Sequence, residues 1–191
     1  MNAPPPAGRR TFVHRRILQI TTAAFTDGVQ LLATAASTRL GPVSAVIGVA
    51  RGGLSPAAAL AKRLEVPAYR ANVRHNRTDD IYTPATGRVT CDIGPLAAAL
   101  GGRLLGGNVL LIDDIYGTGA TITALRPALT PYLEPTAMIH TVVLCRNAGA
   151  TTDPDLWLWT VDDWVHFPWE SAPPAKLPVE RLAVPQTVRP T

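Results

Sequence analysis

Residues 109–121 read VLLIDDIYGTGAT, an apolar run followed by two adjacent carboxylates and a loop of small residues. A short apolar run of this kind is typical of a buried strand. Gly117 and Gly119 let the backbone of the loop approach a ligand closely, and Thr118 and Thr121 supply hydroxyls. A helix predicted directly after the loop would offer unpaired N–H groups and a positive dipole. The stretch therefore predicts a strand, an anion-binding loop and a helix.

The acidic pair, Asp113 and Asp114, does not suit a phosphate, since like charges repel. Carboxylates accept hydrogen bonds from hydroxyls, and Mg²⁺ is bound by carboxylate, water and phosphate oxygens. A sugar phosphate together with a divalent metal meets all of these demands.

Other interpretations of the loop fit less well. A dinucleotide site requires the full glycine fingerprint with an acid about twenty residues later, whereas here the acids precede the loop. A Walker loop requires Gly-Lys-Ser/Thr, which is missing. A structural turn with solvated acids remains the alternative, and the surrounding strand, glycines, threonines and helix count against it.

Residues 44–67 repeat the order of strand, turn and helix. SAVIGVA is the strand, Arg51, Gly52 and Gly53 form the turn, and Ser55 is the predicted N-cap of a helix that ends by residue 67. In open α/β sheets, ligands bind outside the carboxyl ends of the strands. Both turns lie at such ends, so we expect them to share one site.

The rest of the chain continues the alternation of helices and strands, which indicates an α/β fold with a mainly parallel sheet. Pro127 limits or kinks the last of the predicted helices. Alternation in LWLWTV places Leu156 and Leu158 on one face and Trp157 and Trp159 on the other. The predicted helices cover residues 23–40, 95–100 and 121–129, and the extended segments cover 11–18, 68–73, 108–112, 137–145 and 156–161. The polar residues 74–94 are predicted to form a long loop or small flap.

Length and composition indicate one globular domain, with 191 residues, 47% hydrophobic and 17% charged. We predict a flexible tail over residues 1–10, the domain over 11–170 and a proline-rich surface tail over 171–191. A net charge of +4 weakly favours anionic ligands. No signal core or membrane-length apolar run is visible, so we expect a soluble, cytoplasmic protein without a membrane partner.

Three segments resemble the type I phosphoribosyltransferases. Residues 109–121 resemble their signature for phosphoribosyl pyrophosphate (PRPP), and residues 46–64, VIGVARGGLSPAAALAKRL, resemble their pyrophosphate loop. Residues 162–170, DDWVHFPWE, are similar to the base-binding end of bacterial xanthine-guanine phosphoribosyltransferases. The resemblance implies a single domain with a mainly parallel sheet flanked by helices. It also implies a small hood built from about residue 146 onward, with help from the N-terminal segment.

The resemblance implies transfer of ribose 5-phosphate from PRPP to a base nitrogen, with pyrophosphate as product and Mg²⁺ as cofactor. Asp113, Asp114 and Arg51 would be the catalytic residues, and Asp114 would also contact the metal. The implied PRPP-binding residues are Arg51, Gly52, Gly53, Arg74, Asp113, Asp114, Tyr116, Gly117, Thr118, Gly119, Ala120 and Thr121.

The polar segment would correspond to the family's catalytic flap, which closes over PRPP and excludes water. Arg74, His75 and Arg77 are its candidates to contact pyrophosphate, with Tyr82 as a cover.

The base would be bound by residues of the hood. Trp164 is predicted to stack on it, Val165 to offer its backbone, and Glu170 to bind an exocyclic amine. Arg146 lies where relatives place a lysine against the exocyclic oxygen, and its donors suit a 6-oxo group. Trp169 is expected to pack within the hood.

Gly117 departs from the pattern, because relatives that use 6-oxopurines carry an acid at this position. A 6-oxopurine (hypoxanthine, guanine or xanthine) is the preferred base, while adenine, a pyrimidine or an unusual base stays open. A non-catalytic PRPP-sensing regulator is a further alternative. No helix-turn-helix pattern or dense basic run is visible, so no nucleic acid partner is expected. The resemblance also implies a homodimer or homotetramer.

Overall fold

The computed structural model describes residues 11–74, 89–171 and 177–190. The predicted tail over residues 1–10 lies outside these ranges. The helices are α1 (Thr22–Arg39), α2 (Leu54–Leu64), α3 (Gly94–Leu100) and α4 (Ala120–Leu129). The strands are β1 (Ile17–Gln19), β2 (Val43–Ala50), β3 (Ala68–Arg74), β4 (Thr90–Asp92), β5 (Asn108–Tyr116), β6 (Met138–Asn147), β7 (Leu156–Val161), β8 (Trp164–His166) and β9 (Val179–Arg181).

The main sheet contains six strands in the order β4-β3-β2-β5-β6-β7. Neighbouring strands are parallel except for β3 and β4, which are antiparallel. In β5, Leu110 and Ile112 join the core cluster under α1 and α2, while Val109 and Leu111 join the cluster under α3 and α4. This is the pattern of a parallel strand that is buried on both faces. The predicted α/β fold with a mainly parallel sheet is confirmed.

A second sheet of three parallel strands, in the order β8-β1-β9, forms the hood. It combines the N-terminal segment with two C-terminal segments. Residues 177–190 do not form the predicted surface tail, because β9 pairs with β1 and Val188 is 4% exposed. The backbones of Trp157 and Arg189 also exchange two hydrogen bonds, which hold the end of the described chain against β7.

Two buried polar side chains hold residues 11–16, which we call the N-terminal arm. Asn147, which has no exposed surface, accepts a hydrogen bond from the Thr11 N–H at 2.8 Å. The carboxylate of Asp163, 1% exposed, accepts from the N–H groups of His14 and Arg15 at 3.1 Å. Buried polar groups require such partners, so the hood and the arm form one unit.

Helix α2 begins at Leu54 with Gly53 as its N-cap, so the predicted N-cap role of Ser55 is wrong. The Gly53 N–H donates to the Val49 carbonyl at 2.8 Å, and a side chain on Gly53 would overlap the Ile112 carbonyl. The turn after β2 is therefore closed by backbone packing, and the helix starts directly from it without a side-chain cap.

Strand β5 continues through the acidic pair to Tyr116, whereas the prediction ended the strand before Asp113. The reason is that pairing with β6 continues, with Asp113 opposite Val143 and Ile115 opposite Cys145. A second difference lies in the predicted loop over 74–94, since β4 pairs with β3 there.

Trp159 does not occupy the face opposite Leu156 and Leu158, as alternation predicted, but packs in the same core cluster. Trp157 lies in the other cluster, as expected. Gly28 of α1 lies against both side chains, because a Cβ there would lie 2.7 Å from Leu158 and 3.0 Å from the Trp159 ring. The missing side chain makes room for the indole.

None of the helices in the described ranges is long and apolar enough to cross a membrane. Helix α4 ends two residues after Pro127, as predicted.

Candidate active site

The two predicted turns meet at the carboxyl edge of the main sheet. Strands β2 and β5 are neighbours, with Gly48 opposite Ile112, so the segments that follow them lie side by side. A side chain on Gly52 would overlap the carboxylate of Asp114. The structure thus brings the Arg-Gly-Gly turn and the acidic pair into direct contact, and this contact requires glycine.

The residues around this contact differ in exposure. Arg51 is exposed, Gly52 is half-buried and Gly53 is buried. The peptide bond between Ala50 and Arg51 is cis. The turn therefore presents the arginine outward while its glycines pack against the sheet.

The acidic pair stands at the end of the central strand and is half-buried. The Asp114 N–H donates to Oδ1 of Asp113 at 3.0 Å. This hydrogen bond fixes one carboxylate against the backbone of the next residue, and Asp114 faces the turn after β2. Both acids are therefore held in place while retaining access to solvent.

The loop over residues 117–121 leads from β5 into α4. Gly119 is the N-cap of α4 and has a φ of +77°, in the left-handed region that favours glycine. The Ala120 N–H donates to Oγ1 of Thr118 at 3.3 Å, and Gly119 has no side chain with which to cap the helix. The positive end of α4 thus points at the edge where the acidic pair lies, as an anion site requires.

Tyr116 lies beneath this loop and is 9% exposed. Its ring belongs to the core cluster that contains Ile122 and Leu125 of α4. Its hydroxyl lies 2.8 Å from Oγ1 of Thr152, and a side chain on Gly119 would overlap that hydroxyl. Tyr116 therefore supports the predicted phosphate loop from below, through a contact that the local sequence does not reveal.

Trp164 is half-buried on β8, and the ring of Phe12 lies near it. The two ring centroids are 6.3 Å apart and their planes differ by 26°. Phe12 belongs to the N-terminal arm, so the hydrogen bonds of the arm place this ring beside the predicted stacking residue. Local sequence patterns gave no signal for Phe12.

The backbone of Val165 faces the open edge of the hood. The His166 carbonyl accepts a hydrogen bond from the Ile20 N–H at 3.0 Å, so His166 points its backbone at β1. Successive residues of a strand alternate the direction of their backbone groups. The backbone N–H and C=O of Val165 therefore point away from β1, toward the side on which no described strand pairs with β8.

Arg146 is engaged within its own chain segment. Its Nε donates to Oδ1 of Asp153 at 2.5 Å, and its other nitrogens donate to the carbonyls of Asn147 (3.2 Å) and Ala150 (2.8 Å). The guanidinium also lies 5.8 Å from the centroid of the Trp157 ring. These contacts hold residues 147–153 as a compact loop.

Glu170 is exposed and its carboxylate accepts a hydrogen bond from the Phe167 N–H at 2.9 Å. Trp169 stacks on Phe167, with centroids 4.9 Å apart, and meets Phe25 edge-on at 5.2 Å. The structure therefore places Trp169 in the packing of the hood, and Glu170 in the turn beside it.

The ends of the predicted flap are held by the pairing of β3 with β4. Arg74 is the last residue of β3 and lies opposite Thr90. Nδ2 of Asn72 donates to the Asp92 carboxylate at 2.9 Å, and this bond lowers the pKa of Asp92, with a further contribution from the Gly94 N–H. The other predicted flap contacts fall on the side chain of Arg74 and on His75, Arg77 and Tyr82, which lie outside the described residues.

The candidate site lies at the carboxyl edge of the main sheet. Two surface depressions among the described residues lie elsewhere, one beside α4 and β6 and one between α1 and α2. Neither is lined by a predicted site residue, so both are separate from the candidate site.

A mainly parallel sheet with an acidic pair and a helix N-terminus at its carboxyl edge defines an α/β protein with the edge at which open α/β sheets bind ligands. The model of the phosphoribosyl transferase domain family matches residues 22–175. The chain therefore belongs to the phosphoribosyltransferase family, and the resemblance drawn from the sequence is confirmed.

Relatives support this assignment. The chain is 26% identical over 129 residues to a xanthine-guanine phosphoribosyltransferase of Cereibacter sphaeroides, covering 67% of this chain and 70% of the relative. A purine phosphoribosyltransferase from Pyrococcus horikoshii is 25% identical, with a TM-score of 0.64 over 84% of this chain and 98% of that one. A xanthine-guanine-hypoxanthine phosphoribosyltransferase of Helicobacter pylori shares the fold, with a TM-score of 0.61 at 18% identity, covering 82% and 93%.

Proposed function

We propose that this phosphoribosyltransferase transfers ribose 5-phosphate from PRPP to a 6-oxopurine and releases pyrophosphate, as an enzyme of purine salvage. The observation that carries the proposal is the contact between Gly52 and Asp114 beside the N-terminus of α4. It joins a turn suited to pyrophosphate, carboxylates suited to hydroxyls, and a loop suited to a terminal phosphate within one edge of the sheet.

The charges at this edge suit the reaction. In glycosyl transfer, positive charge builds on the sugar ring in the transition state, and negative charge builds on the departing pyrophosphate. Asp113 and Asp114 favour the first, while Arg51 and the backbone donors of the turn favour the second. Preorganised groups of this kind cost no reorganisation during the reaction.

Mg²⁺ fits the residues present at the edge. This ion commonly keeps several waters and binds through one or two carboxylates together with substrate phosphates. Asp114 is the residue that would hold it, since its half-buried carboxylate lies against the turn proposed for pyrophosphate. When bound, the ion would stabilise negative charge on the leaving group.

The hood supplies groups for a planar base. Trp164 offers a ring face, Val165 offers backbone N–H and C=O groups at an open strand edge, and Phe12 extends the aromatic surface. The xanthine-guanine and purine enzymes among the relatives favour a purine. Arg146 and Glu170 join this set only if they exchange their present partners, Asp153 and the Phe167 N–H, for the base.

An activity screen tests the proposal. The protein is incubated with PRPP, Mg²⁺ and a panel of hypoxanthine, guanine, xanthine, adenine, uracil and orotate, and pyrophosphate release and nucleotide are measured. We expect turnover with at least one 6-oxopurine. Turnover with another base alone would reassign the substrate, as Gly117 allows, whereas tight PRPP binding without turnover would favour a regulator.

Sedimentation of the same sample tests the proposed homodimer or homotetramer.

Trp164→Ala is expected to raise the KM for the base by about tenfold or more, since base–aromatic stacking contributes about 1–3 kcal/mol. The KM for PRPP should change little, because Trp164 lies on the hood and not at the loop after β5. Trp169→Phe is the matched control, since it preserves an aromatic ring in the packing with Phe25 and Phe167. An equal rise in both KM values for Trp164→Ala would assign this residue to packing.

A further inference from the structure

We propose that Thr152 is a positioning residue for the 5-phosphate loop, residues 117–121, and that it acts through the hydroxyl of Tyr116. The inference rests on the proposed function, because it assumes that this loop holds the phosphate of PRPP. Thr152 lies far from the loop in sequence, and the predicted binding set does not include it.

The Tyr116 ring supports the start of α4. It is packed in the core with Ile122 and Leu125 of α4, and a Cβ on Gly119 would overlap its hydroxyl. The hydroxyl therefore lies directly against the residue that caps α4. A shift of this ring moves the N-terminus of α4, where the phosphate would bind.

A hydrogen bond to Thr152 fixes the Tyr116 ring. The Tyr116 hydroxyl lies 2.8 Å from Oγ1 of Thr152, within the range of a strong O–H···O bond. The Tyr116 residue is 9% exposed, whereas Thr152 is exposed, so the bond lies at the boundary between core and solvent. Without Thr152 the hydroxyl would exchange a fixed partner for mobile water, which does not hold the ring in one position.

The segment that carries Thr152 is itself held by hydrogen bonds. Arg146 binds this segment at Asp153 and at the Ala150 carbonyl, with distances of 2.5 Å and 2.8 Å. The side chain of Asn147 accepts a further hydrogen bond from the Gly149 N–H at 3.0 Å. Thr152 is thereby anchored to the end of β6, the strand next to β5, so it holds Tyr116 from a fixed support.

This arrangement gives Arg146 a role in the structure that differs from base recognition. Its donors hold the segment that fixes Tyr116, and Tyr116 supports the cap of α4. Arg146 at the end of β6 is thereby connected to the start of α4 through Asp153, its neighbour Thr152, and Tyr116.

The test uses Thr152→Val, which removes the hydroxyl at nearly constant volume. We expect the KM for PRPP and the inhibition constant of ribose 5-phosphate to rise about three- to tenfold, the effect of losing one hydrogen bond. The KM for the base and the inhibition constant of pyrophosphate should stay unchanged, because neither ligand contacts the 5-phosphate loop.

Two companion variants sharpen the result. Tyr116→Phe should give the same pattern, and the double variant should be no worse than either single one, since both remove the same bond. Thr151→Val is the control, because it makes the same change at the adjacent exposed residue.

Three outcomes would overturn the inference. Unchanged constants in Thr152→Val, an equal rise in all four constants, or additive effects in the double variant would each show that Thr152 does not position the loop. A wild-type protein that releases no pyrophosphate with any base would contradict the proposed function instead, so the two failures are distinguishable.

Discussion

Replacing both carboxylates of the acidic pair, Asp113→Asn with Asp114→Asn, is expected to lower kcat/KM for PRPP by about a thousandfold or more. Loss of a single electrostatic contact to a developing charge commonly costs a factor of about 10²–10³, and this variant removes two. An amide still binds a hydroxyl but carries no charge to offset the positive sugar. Pyrophosphate release measures the effect.

The fold should survive this change, because both side chains are half-buried at a strand end and asparagine has nearly the same shape. Thermal unfolding is expected to differ by a few degrees at most, as for substitutions outside the core. Asp27→Asn, an exposed carboxylate on α1, is the matched control and should retain wild-type activity. Wild-type turnover in the double variant would contradict the proposed mechanism.

The sequence predicted that the two turns meet at this edge of the sheet, because its signals are local. An apolar run, two acids and a glycine-rich turn lie within thirteen residues, and each has a direct physical meaning. The two turns could be placed together from a general property of parallel sheets, since ligands bind at the carboxyl ends of the strands. The contact of Gly52 with Asp114 agrees with that expectation.

Errors arose where tertiary contacts set the local structure. Serine is a common N-cap residue, but α2 begins at Leu54, before Ser55, because Gly53 packs against the backbone of β5. Trp159 packs with Leu158 because Gly28 on another helix leaves space for its ring. Neither cause can be read from a window of neighbouring residues.

The hood could be predicted only in outline, because its contacts join residues far apart in the chain. Asn147 binds Thr11 across 136 residues, and Asp163 binds His14 across 149. These bonds bring Phe12 to Trp164. A single sequence carries no periodic signal for pairs at such separations, so Phe12 beside Trp164 and Thr152 beside Tyr116 were both missed.

Gly52→Ala is the second large effect that the structure predicts, with kcat/KM for PRPP falling about a hundredfold or more. The added methyl group would overlap the Asp114 carboxylate, which is the far end of a flexible side chain and can move aside. The protein should therefore fold, with Asp114 displaced from the position that the sugar and the metal require. A displacement of about 1 Å at a reacting centre can cost a factor of about 10².

The neighbouring glycine provides the matched comparison. In Gly53→Ala the methyl group would overlap the Ile112 carbonyl, a backbone atom of the central strand that cannot rotate away. We expect this variant to lose about 1–3 kcal/mol of unfolding free energy, as overpacked interiors do. Denaturant unfolding and PRPP turnover should thus distinguish the two variants, because Gly52→Ala loses mainly activity and Gly53→Ala mainly stability.

Combining Gly52→Ala with Asp114→Asn should add little to Asp114→Asn alone, because both act on one carboxylate. Full activity in Gly52→Ala would show that the close approach of this turn to Asp114 is not needed for the reaction.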